Sequence, residues 1–140
     1  MINLKPYSSS VLAFAGFILI VIGIYFVFIR PALLPEDFKY IGTKSSILNE
    51  RFPQLSPWLQ KVFWVMGSYI CTSGLFTVFI ALTSFRKRTY GAFTIVAISG
   101  ITSIGSMTAI NFIIDSDFKW TLLALTLPWV FALTLYKIHK

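Results

Sequence analysis

Charge is scarce in this 140-residue chain: 12% of it is Asp, Glu, Lys or Arg, against about 25% in an ordinary soluble protein. Cysteine and histidine occur once each, as Cys71 and His139. A single cysteine excludes an intrachain disulfide and leaves the redox compartment open. A histidine on the tail excludes a His-based catalytic triad within the apolar body of the chain. No Cys/His spacing supports a metal, and Glu36-Asp37 and Asp115/Asp117 are the only close acid pairs. Catalytic residues, metal and cofactor are therefore all expected to be absent. Gly100 and Gly105 have the glycine spacing of a phosphate loop, but Ser106-Met107 follows in place of Lys-Ser/Thr. Cys71 has no base or positive charge near it in sequence, which reads as an inert packed thiol.

What the chain does hold is apolar: 56% hydrophobic residues, including 14 phenylalanines. A soluble domain of this size could not hide that surface, whereas a bilayer would welcome it. Four runs carry no charge: Val11–Ile29, Val62–Phe85, Gly91–Ile114 and Trp120–Tyr136. Even the shortest spans about 25 Å as a helix. Backbone groups in lipid must be bonded within the segment, so each run is expected to be α-helical. The first run is too long for a signal-peptide core and lacks a small-residue cleavage site, so it reads as an uncleaved anchor. "RKRTY" (Arg86–Tyr90) and "DSDFK" (Asp115–Lys119) are connections too short for anything but antiparallel neighbours. Asp117 is placed to cap the fourth helix, and Pro128 to kink it. The expected fold is an all-α membrane protein of one domain: a four-transmembrane-helix antiparallel bundle with a long helical outer loop, residues 30–57.

The net charge of +7 has no aromatic-basic face to go with it, so nucleic acid is not an expected partner. The bases instead flank the apolar runs. Lys5, Arg86, Lys87, Arg88, Lys137 and Lys140 fall with both termini on one face, without an acid. Arg30, Lys39, Lys44, Arg51, Lys61 and Lys119 fall on the other, with all the acids. The totals tie, but Arg86-Lys87-Arg88 is compact and adjoins two spans. The expected orientation puts both termini in the cytoplasm. Tyr7, Tyr90 and Tyr136 at one boundary and Trp58 and Trp120 at the other suit the headgroup level.

The outer loop has the punctuation of two short helices. Pro35 suits a first helical position, Glu36 and Asp37 its first turn, and Gly42 its stop. Ser45 or Ser46 can cap a second helix that Pro53 ends, and Ser56-Pro57 can start the second span. The loop reads either as an amphipathic roof over the bundle or as a binding cluster of Arg30, Glu36, Asp37, Lys39 and Tyr40. Arg30 can cap the negative end of the first helix and reach Glu36 or Asp37, shielded by Phe38 and Trp58. Arg30-Pro31, Leu33-Leu34-Pro35-Glu36-Asp37, Tyr40 and Gly42 resemble a pattern, R-P-x-L-L-P-E-D-x-x-Y-x-G, of small uncharacterised bacterial four-span membrane proteins. The resemblance implies a bacterial cell (inner) membrane and carries no activity with it.

Inside the runs there is no Asp, Glu, Lys, Arg or His, which argues against a proton-driven pump. There are stripes of small and hydroxyl residues instead. Gly16 and Gly23, and Gly67, Cys71 and Gly74, form a helix-packing seam. Ser99, Thr102, Ser103, Ser106 and Asn111 form a polar seam, economically read as bundle packing and alternatively as the wall of a substrate groove. The leading functional expectation is a non-enzymatic accessory or assembly component touching a membrane-protein partner or its own copies through helices or loop. The alternative is an oligomeric carrier or pore for a small apolar molecule or lipid. A third reading is an interfacial enzyme using the loop acids.

Overall fold

The computed structural model describes residues 5–138, with side chains from Tyr7 onward. The side chains of Lys5, His139 and Lys140 lie outside that description. Six helices account for the described residues, and no strand occurs among them. They are α1 (Lys5–Phe28), α2 (Pro35–Ile41), α3 (Ser45–Arg51), α4 (Leu55–Phe85), α5 (Ala92–Ile113) and α6 (Lys119–Ile138). The four longer helices, α1 from Tyr7 onward, are long and apolar enough to cross a membrane.

α1, α4 and α6 start before the apolar runs that seed them, whereas α5 falls one residue short of its run at each end. α4 begins at Leu55, seven residues before Val62, because Ser56, Trp58, Gln60 and Lys61 are compatible with helix once a nucleus exists. Several starts differ from the capping residues expected from sequence. α3 follows Lys44 and α4 follows Gln54, neither with a side-chain cap, so neither Ser45, Ser46 nor Ser56 acts as one. Pro57 still falls in the first turn of α4, where its missing N–H costs no helical bond. At α6 the Ser116 hydroxyl, rather than the Asp117 carboxylate, accepts the Phe118 N–H at 3.1 Å. Asp115 takes a left-handed φ of 54° to make that turn. α2 opens on Pro35, and Asp37 accepts the Leu34 N–H at 2.7 Å. It closes on Gly42 at φ 72°, whose N–H returns to the Phe38 carbonyl. That conformation is costly for a residue with a Cβ.

Two helices contain π-helical turns, Ala81–Phe85 at the end of α4 and Ile101–Gly105 in the middle of α5. Each has a side chain at its edge. The Ser9 hydroxyl donates to the Ala81 carbonyl, and the Trp129 indole donates to the Val96 carbonyl at 2.9 Å. The indole occupies the space where a Cβ on Gly100 would stand, 2.3 Å from its Nε1. Pro128 lies inside α6, which continues through it.

α1 packs most extensively on α4 and next on α6, while α6 also carries α5. Gly16 and Gly23 of α1 meet Gly74 and Gly67 of α4: a Cβ on Gly23 would lie 2.5 Å from the Cys71 nitrogen and 2.6 Å from the Gly67 oxygen. The backbones therefore touch, which only small residues permit. Leu12, Ala15, Leu19, Ala81, Phe85, Val96, Ile104, Trp129 and Ala132 form the buried core. Leu12 and Ala15, Ala81 and Phe85, Val96 and Ala132 lie toward the end that holds the termini, and Leu19, Ile104 and Trp129 carry the core to the middle of the bundle. α4 and α5 come together at the π turn of α4 and diverge from there. Large apolar side chains such as Phe17, Phe76, Phe79, Ile98 and Phe131 face outward, more than half exposed, while glycine, alanine and serine are among those turned inward. That inverts the usual distribution of a water-soluble domain.

Candidate functional site

The divergence of α4 from α5 leaves a groove of about 870 Å³. α1 forms its floor through Leu19, Ile22 and Phe26. Met66, Tyr69, Ile70, Ser73, Phe76 and Thr77 of α4 make one wall. Ser99, Thr102, Ser103, Ser106, Met107, Ile110 and Asn111 of α5 make the other. The polar seam of α5 therefore lies along this wall. The π turn at Ile101–Gly105 falls in the middle of the seam, and such turns recur at functional sites. Thr102, Ser106, Tyr69 and Phe76 remain exposed, so the groove opens sideways between the two helices.

Five hydroxyls on the two walls share one bonding pattern. Thr102 donates to the Ile98 carbonyl at 2.9 Å, Ser106 to Thr102 at 2.8 Å, and Ser103 to Ser99. Across the groove Ser73 donates to Tyr69 at 2.9 Å and Thr77 to Ser73 at 2.8 Å. Asn111 turns one amide hydrogen to the Met107 carbonyl at 2.9 Å. Each bond runs back onto its own helix, which is how a hydroxyl is satisfied where no water competes.

α2 roofs the far end. Arg30 leaves the end of α1 with only 9% of its side chain exposed. Its guanidinium donates to the Pro31 carbonyl at 2.9 Å and lies 3.4 Å from Asp37. Its face stacks 3.6 Å from the Phe63 ring centre, with Phe26 at 5.4 Å. Phe63 and Phe26 therefore shield the ion pair, in place of Phe38 and Trp58. Their advantage is position: both sit on the groove side of their helices, whereas Trp58 is 60% exposed. Gln60 donates to the Arg30 carbonyl at 3.2 Å and ties the start of α4 to the end of α1.

Glu36 reaches the other way. It accepts from the Ser116 hydroxyl at 3.0 Å and the Asp117 N–H at 2.8 Å, both in the turn between α5 and α6. The two acids of one short helix thus hold opposite sides of the groove: Asp37 the α1–α4 side, Glu36 the α5–α6 side. Lys39 and Tyr40 are exposed and do not join this cluster. Ser116, 1% exposed, is the anchor that sequence reasoning missed. Its only signal is a serine between two aspartates in a five-residue turn. Outside the roof, Lys119 bonds Asp115, and that bond holds the Asp115 carboxyl below its usual range. Among the described residues no group of His, Cys, Asp and Glu is placed to hold a metal ion.

The fold and groove define an all-helical protein with four helices long and apolar enough to span a bilayer, two of which part to form a polar-walled groove under a latched roof. Comparison with family models, curated proteins and solved structures gave no match.

Proposed function

We propose that this chain is an integral membrane protein with four antiparallel spans that holds an apolar or amphiphilic small molecule, such as a lipid, in the groove between its second and third spans. The carrying observation is the groove itself: about 870 Å³, apolar on its floor, seamed with hydroxyls on both walls, open sideways and covered at one end. A groove that opens between two helices in the hydrocarbon admits a ligand from the bilayer, and its volume lies in the usual range for small-molecule sites. The outward-facing Phe and Ile side chains support the membrane placement. The Arg86-Lys87-Arg88 cluster supports cytoplasmic termini, and the pattern at residues 30–42 supports a bacterial cell membrane.

The accessory reading has its own supporting observation. Tyr69, Phe76 and Phe79 flank the opening, 72%, 62% and 64% exposed, and offer a partner helix an aromatic edge. Native mass spectrometry of the protein released from lipid nanodiscs separates the two. A retained lipid-sized mass supports the ligand-binding groove; a stoichiometric protein without one supports the accessory role. The enzyme reading has less behind it, since two of the three loop acids, Glu36 and Asp37, are engaged in holding the roof.

A further inference from the structure

We infer that the groove serves one leaflet: it takes an amphiphile from the roof side, with its polar head beneath α2 and its chain running toward the closed end. The head is of a class that both donates and accepts hydrogen bonds, such as glycerol or a sugar. This rests on the ligand-binding reading of the groove. From Asn111 to Ser99 the α5 wall covers about 18 Å at 1.5 Å per residue. The hydrocarbon core of a bilayer is about 30 Å thick, so one leaflet contributes about 15 Å. The groove thus matches the chain of a lipid from one leaflet. Beyond Ser99 the core side chains Leu12, Phe85 and Val96 close the path toward the termini.

Unspent hydrogen bonds give the direction. Ser73, Thr77, Thr102, Ser103 and Ser106, along the middle and closed part of the walls, donate to carbonyls of their own helix. A methylene chain beside them strands no donor. Donors still unspent gather near the roof. Tyr25 lies three residues before the end of α1, Asn111 two before the end of α5 and Thr121 two after the start of α6, and all line the groove. Among the described residues no partner takes the hydroxyl of Tyr25 or Thr121, and Asn111 spends one amide hydrogen, on Met107. Tyr69, six residues past Phe63 on α4, adds a phenol at the opening. Ser99 offers a similar hydroxyl at the closed end, one group set against several at the roof. Glu36 and Asp37 line the roof end as well and keep lone pairs beyond those their present partners use. Donors and acceptors side by side suit a hydroxyl-rich head. A reversed amphiphile would bury that head in the bilayer interior with fewer partners, which costs free energy.

The test uses the full chain in neutral-lipid nanodiscs. Two monoacylglycerol probes share a sixteen-carbon chain, with a diazirine beside the ester in one and at the methyl end in the other. A methyl ester with the ester-side diazirine lacks the glycerol head. Labelling is mapped by mass spectrometry and normalised to labelling at Ile95, on the outer surface of α5. The ester-side diazirine is expected to mark Tyr25, Asn111 and Thr121, and the methyl-end diazirine Thr77 and Ser99. The monoacylglycerol should label the roof residues about 3–10 times more than the methyl ester, the gain from one satisfied hydrogen bond. Asn111→Leu with Thr121→Val, at preserved helical content, should bring it down to the methyl ester. The opposite order of marks, or the same marks from both diazirines, overturns the orientation and leaves the groove a ligand site. Equal labelling by monoacylglycerol and methyl ester, or an unchanged preference in the double variant, overturns the head seat. Absence of groove labelling by every probe overturns the ligand-binding reading as well.

Discussion

The contact between α1 and α4 makes a quantitative demand. An alanine at Gly23 would put its Cβ 2.5 Å from the Cys71 nitrogen and 2.6 Å from the Gly67 oxygen. Both are backbone atoms of a continuous helix, so neither can rotate away. Ordinary carbon contacts lie near 3.5–4.0 Å, so the helices must separate by about 1 Å at this level or tilt. A gap of that size forfeits a quarter to a half of the dispersion attraction of every pair it opens. The expected cost is about 1–3 kcal/mol, the usual range for overpacking, offset in part by the better helix propensity of alanine. An alanine at Gly67 would strike the same gap from the other side, 2.7 Å from the Gly23 oxygen. Once the helices have parted for one Cβ, the second costs little more. Gly23→Ala with Gly67→Ala should therefore be well short of additive. The assay is thermal unfolding in mild detergent followed by helical circular dichroism. Gly105→Ala is the comparison, because a Cβ there approaches only backbone of its own helix, near Gly100. An unchanged midpoint for Gly23→Ala, or simple additivity of the pair, would refute the close contact.

Three other outcomes are expected. Arg30→Lys should behave almost as badly as Arg30→Ala in detergent stability, because an ammonium cannot reproduce both the stacking on Phe63 and the bond to Pro31; full rescue by lysine would show that charge alone matters. Glu36→Gln should loosen the roof, read as faster hydrogen exchange at the α2 amides than in wild type, and Ser116→Ala should do the same without adding to it; independent effects would mean that the two are not partners. The Asp115 carboxyl is depressed by Lys119, so the pair contributes stability above the ordinary aspartate range and loses it as pH falls through the lowered folded value. A carbon-detected titration should find Asp115 below 3.8 and Lys119→Ala should return it toward 3.8; no movement on substitution would remove Lys119 as the cause.

The helices were legible because their signal is long. Four uncharged runs of this length have one economical solution, and the helices found cover each of them nearly whole. The glycine seam was legible because Gly67, Cys71 and Gly74 repeat at helical spacing, and small residues at that spacing have one common use. The position of the α5 hydroxyls was open, since the same stripe serves packing or a wall; which one depends on whether α4 lies against it, a tertiary fact no local pattern holds. The π turns have no local signal either, and the side chains that bond beside them, Ser9 and Trp129, come from elsewhere in the sequence. The capping serines failed as expectations because a helix end shifts by a residue or two with the contacts of the adjoining turn. Glu36 was assigned to its own helix start, and only the approach of Ser116, 80 residues away, gives it a different use.

The groove between α4 and α5 is the centre of the functional account, and filling it is the most direct test. Ser103→Trp places an indole on the α5 wall, while Ile95→Trp adds the same bulk to the outer surface of the same helix, where Ile95 is 55% exposed. Both variants and the wild type are to be released from nanodiscs for native mass spectrometry at equal activation energy. The account predicts a retained lipid-sized mass on the wild type and on Ile95→Trp, and its loss from Ser103→Trp with the helical content preserved. Retention of that mass by a folded Ser103→Trp variant, or its absence from the wild type, would contradict it.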